Sequence, residues 1–187
     1  MTRKDKENIS LEPFEFHTRF GPFIFKVKDI DKYIVPIQPK FHKLLFPEGE
    51  KQSSIFQGEH PFGNSLRKAY LCHSNIRKMK KGSILLFYRS QDIQAVISTG
   101  LIEDTLVSSS PIEVARFVGK RTVYRFDEIE AMCQKEVLAI LFRQIDNLKT
   151  PVTLSNLISN EIIKAAPQSI TQIEERSESW LENQIQP

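Results

Sequence analysis

Apolar and polar positions alternate, or run together, in several short segments separated by turn residues. Strict alternation is typical of a strand with one buried face, and a continuous apolar run is typical of a strand buried on both faces. The pattern predicts strands in FEFHTRFGPFIFKV (14–27), YIVPIQP (33–39), SLRKAYLCH (65–73), ILLFYRS (84–90), IQAVISTGLIEDTLVS (93–108), RTVYRF (121–126) and EVLAILFRQI (136–145). The last of these is also compatible with a helix. Gln91 and Asp92 predict a hairpin turn, and Gly100 predicts a bulge.

Short helices are predicted between and after these strands. The clearest is SPIEVARFVG (110–119), where Ser110 is a good N-cap, Glu113 completes a capping box and Gly119 ends the helix. Helical spacing also favours KFHKLLF (40–46) and DEIEAMCQK (127–135), while SNIRKMKKGS (74–83) reads as a short helix or a turn closed by Gly82. The segments after residue 150 that favour helices are TLSNLIS (153–159), NEIIKAA (160–166) and ITQIEERSESWLENQ (170–184), the last with a capping box of Ser169 and Gln172.

Strands and helices do not alternate strictly, which favours an α+β fold over a doubly wound one. The pattern predicts a disordered tail over residues 1–12, one domain over 13–150 and a helical C-terminal extension over 151–187 that packs on the domain. The N-terminus lacks the apolar region of a secretory signal, and no run of about 20 apolar residues is present. We therefore expect a cytoplasmic protein with no membrane contact.

Composition is ordinary, but the distribution of charge is not. The 187 residues are 40% hydrophobic and 26% charged, with a formal net charge of +3. Residues 61–90 nevertheless contain seven Lys or Arg and no Asp or Glu, and residues 77–81, called the basic stretch below, contain four of them. A second cluster, Arg116, Lys120, Arg121 and Arg125, is interleaved with aromatic residues. Cations bind phosphates and aromatic faces stack on bases, so the two clusters suggest a nucleic-acid groove.

Three segments resemble the ASCH and EVE branches of the PUA-like superfamily. NIRKMKKGSILLFYRSQDIQAVISTGLIEDT is similar to their basic turn and following strands, IVPIQPKFHKLLFPEG to the first strand and helix of ASCH-type domains, and GNSLRKAYL to a further ASCH segment. The resemblance covers roughly residues 33–145. It implies a PUA-like mixed β-barrel of five or six strands with short flanking helices, and a cleft beside the first helix and the basic strand. The helical C-terminal tail lies outside the matched region. Relatives of this kind bind RNA or hold one modified base, and some are appended to acetyltransferase domains.

Fifteen positions make up the predicted nucleic-acid site: Asn64, Ser65, Lys68, Tyr70, His73, Asn75, Arg77, Lys78, Lys80, Lys81, Tyr88, Ser90, Lys120, Arg121 and Tyr124. Several have a second interpretation. Asn64 and Asn75 also suit turn caps, and Tyr88 suits either stacking or core packing. Arg67 and Lys68 point to opposite faces of one strand, and we place Lys68 in the cleft with Tyr70.

No catalytic, metal or cofactor motif is complete in the sequence. Cys72 and Cys133 fit no metal-ligand spacing and are expected to be reduced core residues. Some ASCH proteins are amidohydrolases that act on acylated pyrimidine nucleosides with a Thr, a Lys and a Glu. On this chain the Lys falls at Asn64 or Ser65, the Thr at Leu66 and the Glu at Lys68. A Leu has no hydroxyl and a Lys is no carboxylate base, so these residues cannot perform the roles.

The prediction is therefore a nucleic-acid-binding module that uses a basic cleft with aromatic residues, with RNA favoured over DNA, and that reads a single, modified base. The alternatives are an ASCH-type nucleoside amidohydrolase and an accessory domain of an acetyltransferase, with a protein partner bound through the C-terminal helix. The oligomeric state stays open.

Overall fold

Six strands and four α-helices are formed by the residues that the computed structural model describes, which are 30–47 and 65–174 together with Glu12, Glu15 and Trp180. The strands are β1 Lys32–Ile37, β2 Arg67–Cys72, β3 Ile84–Arg89, β4 Ala95–Ser108, β5 Val137–Thr153 and β6 Thr171–Gln172. The helices are α1 Pro39–Leu45, α2 Pro111–Val118, α3 Phe126–Met132 and α4 Leu154–Ser159. The α+β prediction is confirmed. The predicted strand at 14–27, the tail at 1–12 and the candidate Asn64 lie outside the description.

One mixed sheet contains all six strands in the order β2-β5-β4-β3-β1-β6. Strand β1 runs parallel to β3, and the other neighbouring pairs are antiparallel. Among the described strands, β2 and β6 are the edges and do not pair with each other, so the sheet is open where a closed barrel was predicted. The physical reason is that β6 has two residues and covers only Tyr33 and Ile34 of β1. The rest of that edge of β1 faces β2 across a gap.

Strand β5 is central and lies between β2 and β4. Its apolar half, residues 137–142, is buried throughout, because helices cover one face and the inner core covers the other. The run is therefore a strand and not a helix. Gly100 on β4 pairs with Gln144 of β5, and a Cβ there would lie 2.7 Å from Phe142 Cδ2. The ladder is irregular there, as the predicted bulge requires.

Three buried clusters hold the layers together. The concave face of the sheet packs Val35, Phe87 and Phe142 against Phe46, which follows α1. The opposite face of β2 and β5 packs Leu71 and Ala139 against α2 and α3. The opposite face of β1, β3 and β4 is covered by α4, by the chain that follows it and by Trp180. The C-terminal segment thus helps to form the core.

Local sequence signals explain the loops that follow the strands. Gly82 closes the basic stretch with a φ of 87°, so that segment is a turn and not a helix. The Ser110 hydroxyl accepts from Glu113 N and caps α2, as predicted. The capping box is incomplete, since the Glu113 carboxylate accepts from the Ser108 hydroxyl over 2.6 Å.

Two groups of predicted elements are wrong. RTVYRF is not a strand: it begins at the end of a 3-10 turn, Gly119–Arg121, and reaches the first residue of α3. In the tail, NEIIKAA forms turns that bury Ile162 and Ile163, and Thr171–Gln172 is strand β6 where a helix was predicted from Ser169. In both places apolar residues reach an existing core from irregular chain, so tertiary packing overrides local propensity. Of the described helices, none is long and apolar enough to cross a bilayer.

Candidate functional site

A cleft of about 620 Å³ opens where β1 and β2 fail to meet. Strand β2 supplies one wall, the end of β1 and the start of α1 supply the opposite wall, and the β3–β4 loop, Tyr124 and residues 166–170 complete the rim. Across this gap the Tyr70 hydroxyl donates to Pro36 O over 2.8 Å. The cleft is thus a direct product of the open sheet.

Aromatic side chains form much of the lining. Tyr70 meets Phe87 edge to face, with ring centroids 6.0 Å apart. Tyr124 lies against Phe41 at 4.9 Å, and its hydroxyl donates to Leu71 O over 3.3 Å. Burial raises the pKa of both tyrosines, so both hydroxyls stay protonated and act as donors.

Tyr88 differs from the other two tyrosines of the cleft. Its side chain is 1% exposed, and its hydroxyl is buried with no hydrogen-bond partner among the described residues. Burial raises its pKa as well. Buried hydroxyls are normally hydrogen-bonded, and an unsatisfied one destabilises the fold by about 1–3 kcal/mol.

Neutral polar groups line the rest of the cleft. They are Gln38, His73, Ser90, Gln91, Gln94, Gln168 and Ser169. Of the described residues in the lining, none is Asp, Glu, Lys or Arg. The four glutamines are exposed, and the Gln168 amide donates to Ala166 O over 3.4 Å. The cleft therefore offers flat apolar faces, amide donors and amide acceptors, and no fixed charge.

Nucleophilic and metal chemistry find little support in this lining. Burial raises the pKa of the Cys72 thiol to about 12, so it is not a thiolate at neutral pH. His73 Nδ1 lies 3.0 Å from Glu136 O. Within the described part of the chain, no three His, Cys, Asp or Glu residues come together as metal ligands do.

The basic stretch lies outside the cleft. Arg77 forms an ion pair with Glu136 at 2.8 Å, and Lys80 forms one with Asp31 at 3.1 Å. Lys78 and Lys81 are exposed. Glu136 connects the two regions, because its carbonyl oxygen contacts His73 on the cleft rim while its carboxylate binds Arg77. Where the sequence predicted one basic cleft, the structure therefore has two adjoining regions: the charged basic stretch and the uncharged cleft.

The remaining predicted residues are scattered. Tyr70, His73, Tyr88, Ser90 and Tyr124 line the cleft. Lys68 faces the interior with Tyr70 but is 1% exposed, with Nζ 5.6 Å from the centre of the Phe46 ring, so it is buried beneath the cleft. Ser65 is exposed and its hydroxyl accepts from Arg67 N. Asn75 and Lys120 are exposed and Arg121 is half-buried, all outside the lining.

The glutamines are the residues that the sequence analysis missed. Gln91 was read only as a turn residue, and Gln38, Gln94 and Gln168 were not considered. One signal was available for Gln91: it lies in the turn between two confidently predicted strands, one of which ends at Ser90. The others come together only through the fold.

Similarity to known proteins comes from structure alone. No protein-family model and no curated protein sequence matches the chain. The ASCH protein of Zymomonas mobilis superimposes with a TM-score of 0.60 at 14% identity, over 81% of this chain and 94% of that one. A serine-to-alanine variant of the same protein gives a TM-score of 0.62 at 13% identity, over 83% and 96% of the two chains. The structural similarity establishes the fold, whereas a sequence identity this low leaves the activity open. The chain has the PUA-like fold of the ASCH domain.

Proposed function

We propose that this chain binds RNA by taking one unpaired base into the cleft between β1 and β2. The observation that carries the proposal is the lining: aromatic faces and amide edges, without a Lys, Arg, Asp or Glu among the described lining residues. A nucleobase is planar and uncharged, and carries donors and acceptors on its edge. Bases stack on aromatic side chains and pair with side-chain amides.

Size and chemistry both favour a base over a phosphate. A volume of about 620 Å³ lies in the usual range for small-ligand clefts, roughly 300–1,000 Å³. A phosphate buried there would lack a cation and would keep an unfavourable desolvation penalty. The phosphates of a bound strand would instead lie outside the cleft, towards Lys78 and Arg77. Glu136 links Arg77 to the cleft rim, because its carboxylate pairs with Arg77 and its carbonyl oxygen contacts His73.

An extended peptide fits the opening less well. Strand addition to a sheet edge needs unpaired backbone acceptors and donors. Here Pro36 O accepts from Tyr70 and Leu71 O accepts from Tyr124, so two backbone acceptors beside the gap are already used. Sequence-specific RNA recognition targets unpaired bases splayed out of a strand, which is the form that a narrow cleft admits. The PUA-like fold also favours RNA.

The test is fluorescence anisotropy with labelled single-stranded RNA, duplex RNA and single-stranded DNA over a salt series, with free nucleosides as competitors. The double variant Gln38→Ala/Gln168→Ala removes two amides from the rim. We expect it to weaken single-stranded RNA binding about tenfold, at the lower end of the range for edge contacts. The matched control is Gln134→Ala, which removes an exposed glutamine outside the cleft. The proposal fails if no polymer binds at low salt, or if the double variant binds as tightly as the parent and the control.

A further inference from the structure

We infer that the β3–β4 loop, residues 90–94, selects which base enters the cleft, with Gln91 as the residue that reads the base edge and the Arg89–Asp92 ion pair as the element that positions it. The inference rests on the proposed function and adds its specificity. Gln91 and Gln94 both line the cleft, and both have left-handed backbone conformations.

The backbone at Gln91 is unusual for a side chain of this kind. Its φ is 71°, and Asp92 N donates to Ser90 O over 2.9 Å, so this hydrogen bond encloses Gln91 alone. This is a γ-turn with positive φ, the rare and strained form. Gln94 has a φ of 51°. Glycine adopts such angles without strain, whereas a residue with a Cβ does not.

A dense set of bonds holds the loop in this shape. Arg89 is 6% exposed, its Nε lies 3.0 and 3.1 Å from the two Asp92 carboxylate oxygens, and its Nη2 lies 2.6 Å from Oδ2. Asp92 Oδ1 also accepts from Ile93 N over 2.8 Å. Both N and Oγ of Ser90 donate to Ile37 O, and Leu154 N donates to Gln94 O. The loop is therefore fixed at both ends and across its middle.

Strain retained at an exposed position points to a use for the side chain. Gln91 is exposed, so packing does not explain the amide, and a glycine would relieve the backbone. Residues held in unfavourable φ regions cluster at ligand sites, where the surrounding structure over-determines them. A rigid amide on a cleft rim is able to donate and accept at one base edge, and its fixed direction makes mismatched edges unfavourable.

The decisive variant is Gln91→Gly, measured with four single-stranded RNAs that differ only in one unpaired base. We expect the tightest complex to weaken about tenfold. The spread among the four bases, measured as the ratio of the highest to the lowest affinity, should shrink towards one. The midpoint of urea unfolding does not fall, because glycine accepts the φ. The matched control is Glu161→Gly, since Glu161 also has a positive φ, 57°, and lies outside the cleft lining. It keeps both affinity and spread.

A second variant tests the positioning role. Asp92→Asn keeps the shape of the side chain and weakens the bidentate pair with Arg89. We expect the spread among bases to shrink while the salt dependence of binding stays the same, a combination that general destabilisation does not produce. If the parent protein binds none of the RNAs, the proposed function fails and the loop has no role. If the parent binds and Gln91→Gly shows the same affinities and spread, only this inference fails.

Discussion

The basic stretch and the cleft lie close together, but their polar groups are satisfied in opposite ways. In the basic stretch, Arg77 is paired with Glu136 and Lys80 with Asp31, and all four cations lie at the surface. In the cleft the polar groups are uncharged, and one of them, the Tyr88 hydroxyl, is buried without a described partner. A paired surface charge contributes little on its own, whereas an unsatisfied buried group is costly. The comparison suggests that the cleft carries specificity and the basic stretch adds affinity.

The largest expected effect concerns a buried imidazole. His42 of α1 is 1% exposed, and its Nε2 lies 3.1 Å from the Ser98 hydroxyl. Burial, with a smaller contribution from Arg89, lowers its pKa from 6.5 to about 4. Below pH 6.5 the unfolded chain therefore binds a proton that the folded protein does not. Stability is unaffected by this group above pH 6.5 and falls as the pH drops from there towards 4.

Urea unfolding from pH 7 to pH 5 measures this effect. We expect the free energy of unfolding to decrease by about 2 kcal/mol through His42, at about 1.4 kcal/mol per pH unit below 6.5. The variant His42→Gln lacks the titrating ring and should lose this part of the pH dependence. His73→Gln, which removes an exposed imidazole from the cleft rim, should retain it. Equal pH dependence in the parent and His42→Gln would show that His42 is not held neutral.

The next largest effect distinguishes the contribution of the basic stretch to RNA binding from that of the cleft. Replacing Lys78, Lys80 and Lys81 together by glutamine should weaken single-stranded RNA binding about tenfold at low salt. The slope of log K against log salt should become shallower by about 2, because up to three phosphate contacts are lost. Competition by free nucleosides should not change.

The opposite change gives the control for that prediction. Glu136→Gln removes the carboxylate that holds Arg77 at 2.8 Å, which frees the guanidinium for a phosphate. RNA binding should tighten a few-fold, with little change in stability, since surface ion pairs are worth about 0–1 kcal/mol. An unchanged salt slope in the triple lysine variant would make the basic stretch a solvated face with no part in binding.

The smallest effect compares two tyrosines within the cleft. Tyr88→Phe removes a buried hydroxyl without a described partner and should raise the free energy of unfolding by about 1 kcal/mol. Tyr124→Phe removes the donor to Leu71 O and should lower it by about 1 kcal/mol. Urea denaturation measures both. A lower stability for Tyr88→Phe would mean that its hydroxyl is already satisfied in the free protein.

Much of the fold could be predicted from periodicity and capping. The strands β1 to β5, the helices α1 to α4 and the left-handed Gly82 follow from local sequence. The chain after α4 could not be predicted this way, because Ile162, Ile163 and Ile173 pack on the sheet from irregular chain and carry no periodic signal. The open seam also lacks a local signal, since it depends on how few residues β6 contributes.

The site was only partly predictable for a similar reason. Aromatic residues next to a sheet edge are visible in sequence, and Tyr70, Tyr88 and Tyr124 do line the cleft. Charge is also visible, and it drew attention to Lys68, Lys120 and Arg121, which lie outside the lining. Four glutamines from three separate segments have no shared pattern along the chain. Only the fold brings Gln38, Gln91, Gln94 and Gln168 to one rim.

The seam between β1 and β2 also bears on how fast a ligand enters and leaves. Of the interactions described there, the bond from Tyr70 to Pro36 O spans the gap, and it belongs to a side chain and not to a backbone ladder. Widening the seam therefore breaks no rung of the sheet, and such local openings need far less free energy than global unfolding. Amide hydrogens along the free edge of β2 would then exchange with solvent through frequent breathing motions of the native protein. The residence time of a captured base would follow the frequency of those motions, independently of how stable the protein is as a whole.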